Sequence, residues 1–187
     1  MQTAEVIIKT VEFAIVAEAG DQSAEREALL GRAMGSNWKK KSSQKLRRGR
    51  RPSEGLAFVA RDETGALVGT VRLWDVATGD GRSALLLGPL AVDPSLKSSG
   101  IGKALMAHAI AEAKRLGHGA ILLVGDAAYY ARFGFSAEKT GTLAMPGPYE
   151  RHRFLGLELT EGALAGASGV LKATGRKEKA MRLAQAA

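Results

Sequence analysis

The segment from Asp93 to Leu105 constrains the fold more than any other part of this sequence. It lies between an apolar run that ends at Val92 and the apolar positions of a helix that begins near Ile101. Gly100 and Gly102 allow backbone N–H groups to approach a ligand with no Cβ in the way. The start of a helix also supplies a partial positive charge. The segment therefore predicts a strand, a glycine turn and a helix whose first turn can hold a phosphate group.

Two common nucleotide-binding motifs do not fit this turn. A Walker loop requires glycine where Lys97 stands and serine or threonine where Ala104 stands. A dinucleotide-binding fingerprint requires a third glycine at Leu105 and an opening strand, whereas three predicted strands precede this one. A glycine-bearing helix start that binds no ligand is the alternative that the turn alone leaves open.

Apolar periodicity predicts a layered α/β or α+β fold around the turn. Strands are predicted over residues 13–17, 56–60, 66–76, 84–92, 120–124 and 154–159, and helices over 101–116 and 126–132. An earlier helix, with Asp21 or Ser23 as its N-cap, ends near Met34. The buried face of the helix over 101–116 is expected to include Ile101, Leu105, Ala109 and Leu116. Gly88 and Pro89 interrupt the run over 84–92, and because proline cannot donate to a strand ladder, they predict a bulge or an edge strand.

The formal charge of +8 is concentrated in one segment. From Arg32 to Arg51 there are nine basic residues and no acidic one, while the remaining 18 basic and 19 acidic residues nearly cancel. After Met34, the large apolar residues of this basic segment are Trp38 and Leu46, so it is predicted to be an exposed helix or loop. One hypothesis is a solvated flank of the substrate site. The other is a binding surface for RNA or an acidic protein, with Trp38 available to stack.

Composition excludes several classes of protein. A chain of 187 residues is long enough to bury a core, and the lack of cysteine excludes disulfide scaffolds, thiolate metal sites and cysteine nucleophiles. The spacing of the three histidines suits no metal motif, so no metal is expected. No apolar stretch approaches the about 18–20 residues of a membrane span. Glu5 and Glu12 do not fit a secretory signal, so a cytoplasmic location is expected.

Two landmarks in this order resemble the GNAT N-acetyltransferase superfamily. The first is the run from Lys97 to Gly102, which is similar to a pyrophosphate-binding pattern of Arg or Gln, two residues, Gly, any residue, and Gly or Ala. The second is Tyr130 followed by the Gly134-Phe135 pair. The strings at 86–92, 122–126, 129–135 and 146–148 look like a bacterial branch of mostly uncharacterised small N-acetyltransferases. The resemblance covers roughly residues 13–159.

The resemblance implies a site for acetyl-CoA. Backbone groups of Leu90, Ala91 and Val92 would pair with the pantetheine arm and the thioester carbonyl. The cradle for the pyrophosphate would consist of Lys97, Ser98, Ser99, Gly100, Ile101, Gly102, Lys103 and Ala104. Lys97 departs from the family pattern, and it can reach a phosphate as a point charge but without the planar fork of arginine.

The resemblance also implies an architecture. It is a single layered domain with a mixed central sheet, a bulged and splayed strand, and helices on both faces. The acetyltransferase domain is expected over residues 1–160, with the basic segment 32–51 inserted after the first helix. Residues 161–187 are expected to form a small, basic and loosely docked tail, with helix as one conformation for it.

The implied activity is direct transfer of an acetyl group from acetyl-CoA to a primary amine of a small molecule or peptide. Tyr130 would protonate the departing CoA thiolate, and a packed core tyrosine is the alternative. Tyr129 is interpreted as structural, and the sequence assigns neither a general base nor the acceptor. The competing function is a non-catalytic module of the same fold that binds RNA or an acidic partner through residues 32–51. No membrane partner is expected, and a homodimer is left open.

Overall fold

The structure, a computed structural model, describes residues 11–20 and 22–178, and this part of the chain contains three α-helices and nine β-strands. The helices are α1 (Ser23–Met34), α2 (Ile101–Arg115) and α3 (Ala127–Ala131). The strands are β1 (Phe13–Ala17), β2 (Ala57–Asp62), β3 (Leu67–Ala77), β4 (Ser83–Val92), β5 (Ala120–Val124), β6 (Leu143–Ala144), β7 (Phe154–Glu158), β8 (Gly169–Val170) and β9 (Lys172–Ala173). The predicted strands and helices are all present, with shifts of one or two residues at their ends.

The main sheet has the strand order β1-β2-β3-β4-β5-β7, and β9 adds to β3. Its neighbours are antiparallel except for the parallel pair of β4 and β5. Although β4 lies between β3 and β5, it pairs with β5 only at Leu85 and Leu86, so Gly88 and Pro89 lie where the β5 side of the strand is unpaired. The bulge is confirmed, since Val71 faces Leu90 while Leu73 faces Leu87, which leaves one extra residue in β4.

Strand β4 separates from β5 soon after their pairing begins. The two strands pair only at Leu85 with Ile121 and at Leu86 with Leu122. The opposite edge of β5 remains paired with β7 as far as Val124. The second half of β4 therefore diverges from β5, and a wedge opens between them, as the resemblance implies.

Helices α1 and α2 cover opposite faces of the sheet. Phe58 and Ala60 of β2 belong to the core cluster under α2, whereas Val59 between them packs against Leu29 of α1. Alternate residues of a strand point to opposite faces, so this pattern places one helix on each side. The predicted fold class, a mixed sheet with helices on both faces, is confirmed.

Two details of the predicted helices are wrong. The N-cap of α1 is Gln22, which makes no capping side-chain bond, and Ser23 is already the first helical residue; Asp21 lies outside the described residues. Leu116 is 41% exposed, because α2 ends at Arg115 and the chain turns at Gly117 before Leu116 can join the buried face.

The segment after Thr160 is packed, so the expectation of a loosely docked or helical tail is wrong for its described part. Leu164, Ala167 and Leu171 are each at most 6% exposed and pack against the sheet face opposite α2. Strand β8 pairs with β6, and β9 pairs with the end of β3. Small residues allow this segment to lie close to the sheet in turns and short strands. The Lys179 and Arg182 end of the tail lies outside the described residues.

The basic segment also folds onto the protein rather than away from it. It forms two short 3₁₀ helices, Ser36–Lys40 and Ser42–Leu46. Trp38 is 7% exposed and packs with Leu30 and Ala91, so the expectation that Trp38 is available to stack on a base is wrong. Two apolar anchors, Trp38 and Leu46, are enough to hold this segment over the sheet face that carries α1.

Candidate active site

A cavity of about 360 Å³ fills the wedge between β4 and β5. The bulge at Gly88 and Pro89 forms one wall, and Gly125 with Tyr130 forms the other. The basic segment closes the wedge from the α1 side with side chains that include Arg47. Divergence of two neighbouring strands thus produces a cavity in the middle of the sheet.

The backbone of β4 presents unpaired groups to this wedge. The Asp93 N–H donates to the Val68 carbonyl at 2.8 Å, towards β3. Backbone groups of an antiparallel strand alternate between its two sides, so those of Ala91 also face β3. The groups of Leu90 and Val92 consequently face the wedge, where β5 no longer pairs with them. This geometry limits the predicted backbone contacts of a ligand to Leu90 and Val92.

The first turn of α2 has free donors. Gly100 is the N-cap with φ 87°, in the left-handed region, and makes no side-chain capping bond. The Ala104 N–H donates to the Gly100 carbonyl at 3.0 Å, so it is already part of the helix. The donors that a helix leaves unpaired at its first positions are here the N–H groups of Ile101, Gly102 and Lys103. These three, with the helix dipole behind them, can bind an anion.

The turn before α2 carries two further signs of a ligand site. Ser98 has φ 64°, an uncommon conformation for a residue with a side chain. The Ser99 hydroxyl oxygen is buried and has no hydrogen-bond partner among the described residues. A buried polar atom without a partner is costly unless a ligand or water completes its bonding.

Tyr129 connects the helix start with the wedge. A Cβ added to Gly102 would lie 3.2 Å from the Tyr129 hydroxyl oxygen and 3.5 Å from Val92 Cγ2. Tyr129 also lines the wedge cavity. Glycine at position 102 therefore keeps open the space between the helix start and the wedge.

Tyr130 is fixed in the wedge by its own short helix. Asp126 is the N-cap of α3, and its carboxylate accepts hydrogen bonds from the Ala128 and Tyr129 N–H groups at 2.9 and 3.4 Å. The Tyr130 ring lies directly over Gly125, where any Cβ would overlap it. Burial, with a smaller contribution from Tyr129, raises the pKa of Tyr130 to about 12. The phenol therefore remains protonated at neutral pH.

Arg47 reaches the wedge from the basic segment, and the sequence analysis did not single it out. A Cβ added to Gly88 would lie 2.8 Å from Arg47 Nη2, and that nitrogen makes a long hydrogen bond of 3.5 Å to the Leu87 carbonyl. Its Nε atom is buried without a partner among the described residues. Burial lowers the pKa of Arg47 to about 9, which still leaves it cationic at neutral pH. A partly buried cation thus faces the bulge of β4.

A second cavity, of about 450 Å³, adjoins the wedge. It is lined by Lys41, Ser42 and Ser43 of the basic segment and by Pro148, Tyr149, Glu150 and Arg153 of the loop before β7. Lys41, Ser43, Val124 and Arg153 line both cavities, so the two are direct neighbours. Its volume is in the range of small-molecule sites. The sequence analysis offered the basic segment as a flank of the substrate site but identified none of these side chains.

Arg72 and Trp74 of β3 line neither cavity. Arg72 is held by an ion pair with the buried carboxylate of Glu18. The Trp74 indole N–H donates to the Gly88 carbonyl at 2.6 Å and so helps to hold the bulge. In the part of the chain that the structure describes, no group of three or more histidine, cysteine, aspartate or glutamate side chains is placed to hold a metal ion.

Comparisons with known proteins agree with this geometry. The sequence model of the acetyltransferase (GNAT) domain matches residues 53–137, from before β2 to beyond α3. Over 150 residues the chain is 29% identical to "Uncharacterized N-acetyltransferase YhbS" of Escherichia coli strain K12, covering 78% of this chain and 87% of that protein. Residues 53–137 are a GNAT acetyltransferase domain. The predicted family and enzyme class are therefore confirmed.

Solved GNAT structures share the fold of this enzyme. The crystal structure of YhbS from Escherichia coli in complex with CoA matches it with a TM-score of 0.75 and 27% identity, over 87% of this chain and 90% of that one. A GNAT family acetyltransferase from Brucella melitensis in complex with acetyl-CoA matches with a TM-score of 0.58 and 26% identity, over 78% and 96% of the two chains. Within residues 11–20 and 22–178, no helix has both the length and the apolar character needed to cross a membrane.

Proposed function

We propose that this GNAT enzyme transfers an acetyl group from acetyl-CoA to a primary amine by direct attack in a ternary complex. The observation that carries the proposal is the wedge between β4 and β5. Free backbone groups of one strand, unpaired donors of a helix start and a partly buried tyrosine lie around this wedge. Relatives crystallised with CoA and with acetyl-CoA have the same fold, which supports this ligand.

The residues at the turn fit the phosphates of acetyl-CoA. The N–H groups of Ile101, Gly102 and Lys103 have no capping side chain that a phosphate would have to displace. The unpaired Ser99 hydroxyl adds a donor, and the exposed side chains of Lys97 and Lys103 add positive charge. We assign the cradle to residues 97–103, with Ala104 closing the first helical bond behind it.

The strand edge fits the rest of the molecule. Bound acetyl-CoA supplies an activated thioester. Leu90 and Val92 offer backbone groups in an extended strand, which can pair with the amide groups of the pantetheine arm as a missing strand would. An N–H group of this edge can also donate to the thioester oxygen as negative charge develops there, and such fixed donors are effective because they need no reorganisation.

Tyr130 is the proposed general acid. Its hydroxyl donates a proton to the sulfur as the carbon–sulfur bond breaks and the amine nitrogen bonds to the acetyl carbon. The nitrogen releases one proton to solvent, and solvent returns a proton to the phenolate of Tyr130. A pKa of about 12 keeps the proton available at neutral pH, and burial holds the ring in one position. The acceptor amine reaches the wedge from the 450 Å³ cavity, on the side away from the phosphate cradle.

Ligand-induced stabilisation tests the proposal. Acetyl-CoA that binds only the folded enzyme stabilises it by about 2.7 kcal/mol at 100 times its Kd, which raises Tm. We expect a clear rise in Tm at high micromolar acetyl-CoA, and release of free thiol when a panel of primary amines is added. A Tm that acetyl-CoA leaves unchanged would contradict the proposed function.

A further inference from the structure

The cavity next to the wedge contains an excess of positive charge. Lys41 and Arg153 line its junction with the wedge, and Arg47 lies just inside the wedge. The carboxylate of this cavity is Glu150, which is 62% exposed and already lies 3.7 Å from Arg153 and 3.4 Å from His152. Three cations therefore lie at the junction with the solvent-exposed carboxylate of Glu150, while Asp126, which also lines the wedge, accepts hydrogen bonds from the first N–H groups of α3.

These cations repel one another. Burial lowers the pKa of Lys41, and the positive charges of Arg153 and Arg47 lower it further. Lys41 has no carboxylate within ion-pair distance among the described residues, although Lys39 of the same segment pairs with Glu27 at 2.8 Å. The Arg153 Nε–H donates to the Gly125 carbonyl at 3.3 Å, which leaves the other N–H groups of its guanidinium available to a ligand. An anion at the junction would relieve this repulsion, since an opposite charge within about 4–6 Å favours the charged form of each group.

The CoA phosphates do not explain this charge. They are assigned to the first turn of α2, which packs on the sheet face opposite the basic segment. Val124 and Tyr149, which line the second cavity, instead pack with the cluster under the basic segment. The cationic junction therefore faces the route of the acceptor.

We propose that the junction of the two cavities binds an anionic group of the acceptor, a carboxylate or a phosphate, a few bonds from the amine that is acetylated. This inference rests on the proposed function and adds a substrate class to it. The short separation follows from the position of Lys41 and Arg153 at the entrance to the wedge, where the amine must meet the thioester. The remainder of the acceptor occupies the 450 Å³ cavity beside Tyr149.

Direct binding of inorganic phosphate tests the junction without any need for turnover. With CoA saturating the cradle, phosphate is expected to raise Tm above the value in chloride at equal ionic strength. Lys41→Gln should lose most of this increment, and Lys41→Arg should retain it. The matched control is Lys40→Gln, an exposed neighbour that lines neither cavity and should behave as the wild type.

Turnover with paired acceptors distinguishes the two anions. Amino acids are compared with their amides, and phosphoethanolamine with ethanolamine, by free-thiol release. The anionic member of at least one pair should have the higher kcat/KM, and Lys41→Gln should reduce its advantage by about tenfold, as expected for one lost charge-assisted bond.

The inference fails if CoA stabilises the enzyme normally while phosphate gives no increment over chloride, or gives the same increment in Lys41→Gln. It also fails if the uncharged acceptors have the same kcat/KM as the charged ones. If CoA itself gives no stabilisation, the proposed function fails instead, so the two failures are distinguishable.

Discussion

At the scale of single residues, the environment of Tyr130 separates its proposed role from that of an ordinary core tyrosine. The ring is packed over Gly125 and lies edge-on to Tyr129 and Phe135, while the residue still lines the wedge cavity. The packing fixes its orientation, and the burial keeps it protonated.

Replacing Tyr130 by phenylalanine removes the proton donor and keeps the ring. We expect kcat to fall by about 10²-fold or more, with little change in the Tm increment from acetyl-CoA. Because the phenol needs to be protonated and its pKa is about 12, the wild type should show no loss of kcat from this group between neutral pH and about pH 10. Steady-state kinetics and thermal melts measure both effects, and an unchanged kcat would remove Tyr130 from catalysis.

Gly102→Glu tests the phosphate cradle. The added Cβ would lie 3.2 Å from the Tyr129 hydroxyl oxygen, and the carboxylate would compete with phosphate for the helix N-terminus. We expect the acetyl-CoA-dependent rise in Tm to disappear. Gly31→Glu is the matched control, since a Cβ at that exposed helical position meets no atom within 4 Å. Retention of the rise in Gly102→Glu would assign the turn a purely structural role.

At the scale of elements, α3 is too short to be stable without its cap. It has five residues, and Asp126 satisfies its first N–H groups. The same cap orients Tyr130 at the wedge, so an N-cap that looks structural in the sequence also positions the proposed acid.

Loss of this cap should affect stability and activity together. Asp126→Ala is expected to cost about 0.5–2 kcal/mol in the free energy of unfolding and to lower kcat, because α3 frays and Tyr130 loses its position. Asp126→Asn keeps an acceptor oxygen and should preserve both. Urea denaturation and steady-state kinetics distinguish this from a catalytic charge at Asp126, for which the asparagine variant would lose activity and keep stability.

At the scale of the whole molecule, the segment after β7 completes the sheet face opposite α2. Leu171 is 2% exposed between β8 and β9, which attach to β6 and β3. The same cluster contains Leu46 of the basic segment and Phe154 at the start of β7, next to the 450 Å³ cavity. Residues distant in sequence thus hold the cavity-forming loops in place.

The neighbouring residues Leu171 and Val170 test this integration. Leu171→Ala should lower the free energy of unfolding by about 2–5 kcal/mol, because it leaves a cavity in a packed cluster. Val170→Ala, at a side chain that is 48% exposed, should stay within about 0.5 kcal/mol of the wild type. Equal effects of the two substitutions in urea denaturation would show that the tail is not part of the core.

Much of the fold could be predicted because its signals are local. Apolar alternation located the strands, helical spacing located α2, and Gly88-Pro89 located the bulge. The proposed cradle and Tyr130 lie in short motifs with recognisable spacing, so the sequence could single them out, and their roles stay predictions. The N-cap of α1 and the exposure of Leu116 were predicted incorrectly, because both depend on where a helix ends within one or two residues.

The sequence by itself determined the layered fold, the family and the elements proposed to bind the cofactor, since each depends on contiguous residues and their periodicity. Only the tertiary structure decided where the cationic side chains behind the +8 charge lie. Trp38 and Leu46 bury against distant strands and bring Lys41 and Arg47 to the wedge, beside Arg153 from the other end of the chain. Such a junction depends on packing between segments about a hundred residues apart, and no local pattern in the sequence predicts it.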